Sequence, residues 1–529
     1  MSATAPLPQA EPVAPELLGA LEIEDEPATR TATLTVGETW AYLGVLAGLV
    51  IVNVPTLGTD QWPFRPGSVE PEGPLGPVVR MARNHWDTGL LRSFALLAGV
   101  IIALYALFAA RVFARRLGPL VALSMIVLGL LVVPAVVLQA GLRDATAPWF
   151  FTNDSTYQIE LAGDAVADGE NPYGHEYGSS GLERFYTMNG TVGRTHVAEE
   201  HFAYFPGTAL TASVWRALPS PWDDYRLLVA LTTVGAFLAM LAFRAPLGLR
   251  LALGALVVAN PLAIRGAWFG NADAPSILFL LLAFALVTRS RYTAGAVLLA
   301  AAVLLKQFAL VAVPFFAIII FIRAAPRAAW QAAAAFAGVT TAGLLPFVIA
   351  DPSAFWGDTV KYGVETYTIV GYGLAAMLVR VGLLENRHDD YPFGLIALVV
   401  WAPATLLLLR AQLRSREPWI GAAGFALSIF LLIFIGRVFH SSYLVWPLAG
   451  AVLAALLAFP TRIPVVVALP GMPAAPQGLP GRRLHRSARG RRGERRYLAA
   501  ALAERTDDEP DEELEGDRED HVPGVVGNA

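Results

Sequence analysis

The chain alternates long apolar stretches with short polar ones. Stretches at 39–55, 91–112, 118–140, 224–243, 248–265, 274–288, 329–349, 392–410, 418–436 and 442–459 each approach the ~20 apolar residues that an α-helix needs to cross a bilayer. The stretch 292–322 is apolar throughout, except for Lys306-Gln307 in its middle. As one helix it would hold an ammonium at mid-bilayer, at a cost of at least ~2.5–3.5 kcal/mol. Short arginine-bearing connections mark the cytoplasmic side of such a chain. Here they are Arg111–Arg116, Arg244–Arg250, Arg289–Arg291, Arg323–Arg327 and Arg410–Arg416. They share one side only if 292–305 and 308–322 are two short helices meeting near Lys306, with Lys306 toward the outer surface. The pattern predicts an all-α integral membrane protein of about 12 spanning segments, with the N- and C-termini cytoplasmic.

Three outer segments follow from that layout: roughly 56–90, 141–223 and 350–391. The last contains an amphipathic piece, Leu374–Leu384, which carries Arg380 and is expected to lie on the membrane surface. Residues 1–35 are rich in Pro, Ala and Glu and are expected to be a disordered tail. Residues 36–117 hold two of the expected helices, and 118–460 hold the remaining transmembrane core. Residues 461–529 form a second tail, basic and then acidic, whose arginines (Arg482 to Arg496) suit an inside-facing segment.

Composition agrees. Hydrophobic residues make up 55% and charged residues 16%, and mean hydropathy is +0.52, which suits a helical membrane bundle. A net charge of −4 gives no reason to expect a nucleic-acid partner. Cysteine is absent, so disulfides, thiolate metal sites and thiol nucleophiles are excluded. Lysine occurs only at Lys306 and Lys361.

The chemistry concentrates at the outer ends of helices. After the aromatic run Trp149-Phe150-Phe151 comes Asp154-Ser-Thr-Tyr157, then a helix-like stretch ending at Asn171-Pro-Tyr173-Gly174. A carboxylate at the membrane surface suits a general base. By spacing alone, Asp154 reads equally as the N-cap of that helix, the more economical assignment. Lys306 suits a phosphate as a point charge, or a lysine that reaches the interface with no ligand. Arg265, in Arg265-Gly-Ala-Trp268, is a third charge at a helix end, and His440 a potential donor to phosphate. Tyr157, Tyr173, His201 and Tyr204 could stack on a sugar or pack as a loop core. Asn271 and Asp273 line the same end or cap the helix that follows.

In their order these motifs resemble the GT-C membrane glycosyltransferases. The nearest group is glycosyltransferase family 87, the polyprenyl-phosphate-sugar-dependent mannosyltransferases and their arabinofuranosyltransferase relatives. The resemblance spans about residues 118–460. It rests on Asp154-x-x-Tyr157 with Asn171-Pro-Tyr173, on His201-Phe-Ala-Tyr204-Phe-Pro206, on Gly270-Asn-Ala-Asp273, on Leu305-Lys306-Gln307 with Pro314, and on Phe439-His440-Ser-Ser-Tyr443 with Pro447. Three helices precede the Asp154 loop here, where that fold usually has one, so the resemblance makes the two in 36–117 an additional N-terminal helix pair.

The resemblance implies an enzyme that moves mannose or arabinofuranose from a polyprenyl-phosphate donor to a hydroxyl of a cell-envelope glycolipid or polysaccharide. Asp154 would be the catalytic base, and Lys306, Arg265 and His440 would face the donor phosphate. Tyr157, Tyr173, His201, Tyr204, Asn271 and Asp273 would line the sugar and acceptor. No cofactor and no metal are expected, because lysine or arginine can neutralise a lipid monophosphate. The location implied is a bacterial plasma membrane, with the active face outside. A transporter or lipid flippase is the competing class, and a non-catalytic envelope-assembly scaffold is a third.

Overall fold

The computed structural model describes Arg143, residues 152–183, Phe185, 197–245 and 272–458, with parts of 247–270. The expected spans at 39–55, 91–112 and 118–140, both tails, and Arg265 and Asn271 lie outside the described residues.

Helices carry the architecture. α1 (Asp154–Ala167) and α2 (Pro206–Arg216) pack together. The bundle follows with α3 (Tyr225–Ala239, extended by a 3-10 turn to Ala242), α4 (Leu247–Val258), α5 (Asp273–Thr288), α6 (Tyr292–Leu305), α7 (Val313–Arg323) and α8 (Pro326–Ala350). α9 (Pro352–Trp356) runs into a π-helical stretch, Gly357–Thr366. Beyond it lie α10 (Leu374–Arg380), α11 (Phe393–Ser415), α12 (Pro418–Ile435) and α13 (Val445–Ala458). Each expected span from 224–243 onward contains helix, although 248–265 is described as helix only over Leu247–Val258 and in part beyond it. Among the described residues, five helices are long and apolar enough to cross a membrane: Tyr225–Ala242, Pro326–Ala350, Phe393–Ser415, Pro418–Ile435 and Ser441–Ala458.

Shorter apolar helices complete the core. α5 and α6 pack side by side, α6 against α8, and α12 against α13. Small residues allow the close approaches, as expected where lipid supplies no hydrophobic drive between helices. Gly450 of α13 abuts Ala426 of α12, and Gly424 of α12 abuts the Phe315 ring of α7. α8 and α11 turn most of their apolar side chains outward, including Trp330, Ile349, Leu398 and Leu407, which suits helices that face lipid.

The break at Lys306 is present. α6 ends at Leu305, Lys306 takes an extended backbone, and a 3-10 turn Gln307–Ala312 leads into α7. The two arms fold back on each other. The Tyr292 hydroxyl, at the start of α6, donates to the carbonyl of Arg323, at the end of α7, at 3.2 Å. Gly295 and Phe316 meet between those points. The connections bearing Arg289–Arg291 and Arg323–Arg327 therefore lie at one end of the bundle, and Lys306 lies at the other.

Candidate functional site

One cavity of about 940 Å³ opens at the Lys306 end. Asp154, Tyr204, Asp273, Lys306 and His440 all line it. These residues come from five separate stretches of chain, gathered because the helices run alternately toward and away from this end. α4, α6, α8 and α12 finish there, and α5, α7, α11 and α13 start there.

Asp154 sits at the first position of α1. The cap itself is Asn153, whose side-chain oxygen accepts the Thr156 N–H at 2.7 Å. The economical assignment of Asp154 as N-cap is thus corrected by one residue. Asp154 instead accepts the adjacent Ser155 N–H at 2.8 Å and turns to the cavity wall. Asn153 has a second task, donating to the carbonyl of Gly270 at 2.6 Å. Gly270 has φ +91°, and a Cβ there would lie 2.2 Å from the Thr156 hydroxyl oxygen. Only glycine lets that turn dock on the start of α1.

Below α1, Arg143 pairs with Glu160, and Asp224 pairs with Arg226. Arg143 also reaches Asp224 at 3.3 Å. Burial pushes the Asp224 carboxyl up, but the guanidiniums of Arg226 and Arg143 more than offset this and hold it well below the usual carboxylate range. This closed charge cluster locks α1 to the start of α3.

Lys306 is buried in the cavity wall. Its ammonium lies 3.5 Å from Asp273 Oδ1 and 4.3 Å from the centre of the Tyr204 ring. The Trp446 indole N–H donates to the same Asp273 oxygen at 3.0 Å. Asp273, at the first position of α5, is thereby held between α6 and α13. Burial pushes the Tyr204 phenol far above its ordinary value, despite its hydrogen bond with Ser155, and the charges of Asp154 and Asp273 add to that. It stays a protonated donor at the mouth of the cavity.

The cavity walls include residues that the sequence did not single out. Tyr362 and Tyr367, on and just after the π-helical stretch, face it. Burial, with the charge of Asp154 nearby, pushes the Tyr367 phenol up to about 12. Arg437 lines it too, anchored by donating to the carbonyls of Tyr367 at 3.0 Å and Asp389 at 3.1 Å. It forms no ion pair among the described residues. Its one visible signal was a charged residue next to an apolar helix end, which is common.

Other expected residues lie outside the lining. The Tyr157 hydroxyl donates to the Ser180 carbonyl, and that of Tyr173 to the Tyr204 carbonyl. Both rings are buried in the loop core. His201 Nδ1 lies 2.7 Å from Asp358 Oδ1. The other Asp358 oxygen accepts the Gly174 and Phe202 N–H groups. Asp358 thus ties the 171–174 turn and the 201–204 segment to the stretch that presents Tyr362 and Tyr367. These residues shape the site without touching its interior. No group of three or more His, Asp or Glu residues among those described could hold a metal.

The cavity also runs down the bundle. Phe393, Ala397, Trp401 and Thr405 line it from one face of α11, spaced four apart and covering roughly 15–18 Å along the axis. Leu310, Val311 and Pro314 before and within α7, with Leu432 and Ile433 of α12, form the facing wall. The polar groups at its foot are already satisfied. The Trp401 N–H donates to Ser428, whose hydroxyl also bonds Thr405 at 2.7 Å.

No family model, curated protein or solved structure matches the chain.

Proposed function

We propose that the protein is a membrane glycosyltransferase that uses a lipid-phosphate-linked sugar donor on the extracytoplasmic face. The observation that carries this reading is the shape of the cavity at the Lys306 end. A carboxylate, a lysine and an arginine share its polar end, and an apolar groove leads from them along α11. A ligand with a charged head on a long hydrocarbon tail fits both parts at once. A soluble sugar nucleotide would leave the groove empty.

In this reading the lipid chain lies along Phe393, Ala397 and Trp401. The phosphate meets Lys306, Arg437 and His440. Asp154 accepts the proton of the acceptor hydroxyl as its oxygen attacks the anomeric carbon. The bond from that carbon to the phosphate oxygen breaks, and the electron pair leaves with the lipid phosphate. The cations and the Tyr204 hydroxyl stabilise that charge as it develops. Charge neutralisation by side chains suffices for a monophosphate leaving group, so no metal is called on. Mannose and arabinofuranose are the donors implied by the family resemblance, and a cell-envelope glycolipid or polysaccharide is the acceptor.

The test is Asp154→Asn in purified full-length protein, assayed in lipid against a panel of polyprenyl-phosphate sugars. The variant should fold normally and lose turnover by at least about 100-fold, as removal of a general base does. Turnover near the wild-type rate would remove Asp154 from the mechanism. Transport of the donor by the wild type with no transfer would favour the flippase class.

A further inference from the structure

Beside the main cavity lies a second one of about 360 Å³. It is framed by β1 (Val370–Gly371), α10 and β2 (Val438–Phe439), with β1 and β2 paired in parallel. Its charged lining residues are Arg380 and Arg387, with His440 beside them and no carboxylate in the wall. Neither arginine forms an ion pair among the described residues. Arg380 donates to the Gly371 carbonyl at 3.0 Å, which fixes its guanidinium at the rim.

The surroundings of this pocket are those of a membrane interface. α10 buries Ala375 and Ala376 toward the protein, and Ala376 and Val379 reach the pocket. Its other side leaves Met377 exposed, and Tyr372, Val381 and Leu383 flanking it are 64%, 68% and 73% exposed. Large apolar side chains placed beside arginines, on a short helix at the end of a bundle, match a segment seated among lipid head groups. The two cationic side chains then sit at the depth of lipid phosphates.

We infer that this pocket binds the phosphodiester head group of an anionic membrane lipid, held between Arg380 and Arg387. The pocket adjoins the proposed donor site, and its two arginines are not part of that site. It shares His440 and Ser441 with the main cavity, so a lipid bound here would bear on the wall that faces the reaction. The inference needs α10 at the interface and does not depend on sugar transfer.

The test is lipid retention by the full-length protein, read by native mass spectrometry after incubation with phosphatidylglycerol, phosphatidylcholine or inorganic phosphate. Phosphatidylglycerol should be retained in preference to phosphatidylcholine. An Arg380→Ala/Arg387→Ala variant should lose about thirtyfold in affinity, which corresponds to about 1 kcal/mol for each arginine. Both side chains are exposed, so thermal stability should hold, and an Arg380→Lys/Arg387→Lys variant should recover part of the binding. Equal retention by the wild type and the Ala variant would overturn the site. Displacement of phosphatidylglycerol by an equal concentration of inorganic phosphate would show a free-anion site and overturn its assignment to lipid. Asp154→Asn should leave retention unchanged, which separates this result from any failure of the transferase reading.

Discussion

Lys306 carries two burdens that substitution can separate. Its ammonium balances Asp273 at 3.5 Å inside the bundle, and it also faces the cavity. Lys306→Met leaves a buried carboxylate without its cation and should destabilise the fold by about 3–5 kcal/mol, nearer the lower figure because the pair borders a cavity. Lys306→Met combined with Asp273→Asn should recover most of that stability in thermal unfolding. If Lys306 served only Asp273, turnover would recover with it; if the lysine grips the donor phosphate, the double variant stays inactive while folded. Residues of this kind were legible in the sequence because a lone lysine stands out against an apolar run. Arg437, Tyr362 and Asp358 were not. Their roles depend on the pairing of β1 with β2 and on the docking of the 171–174 and 201–204 segments, contacts between stretches far apart in the chain. Asp154 stood out in the sequence, and the structure lines the cavity with it, but the cap falls on Asn153: both residues suit an N-cap, and spacing does not rank adjacent positions.

At the level of elements, the α6–α7 hairpin sets the site, and what holds it is close packing at its tip. The Thr208 hydroxyl of α2 donates to the carbonyl of Leu305 at 2.5 Å. Gly207 presses on the same turn, and a Cβ there would meet the Leu304 backbone at 2.7 Å. Backbone cannot step aside as a flexible side chain can. Gly207→Ala should therefore cost about 1–3 kcal/mol by overpacking. It should also weaken donor use by shifting Lys306. Gly338, in the middle of α8, has open space where its Cβ would go. Gly338→Ala should be neutral, or stabilising by up to about 1 kcal/mol through helix propensity. Thermal unfolding of the two variants in one detergent checks the pair, and equal effects would remove Gly207 as the anchor of the hairpin. The hairpin was legible from the arginine count and the interrupted apolar run together. Its tip was not, because close approach of two backbones leaves no trace beyond a glycine.

For the whole molecule, the alternation of helices fixes the sense of the site. Every described basic connection, from Arg244–Arg250 through Arg410–Arg416, lies at the bundle end away from the cavity. If the excess of arginine marks the cytoplasmic side, as it does for spanning helices in general, the proposed site opens toward the outer leaflet. The chain contains no cysteine, so single thiols can be introduced without removing any. His388 lies in an exposed turn beyond α10, while Thr293 and Ser415 are exposed at the opposite end. In intact cells, a membrane-impermeant thiol reagent should label His388→Cys. It should reach Thr293→Cys and Ser415→Cys only after the membrane is opened. Labelling of all three from outside would break the hairpin geometry. The reverse pattern would keep the geometry and turn the cavity to the cytoplasm, where the donor would have to be a lipid of the inner leaflet. For the proposed lipid donor, orientation thus decides which leaflet would supply it, while the cavity's pairing of a charged end with an apolar groove stands in either case.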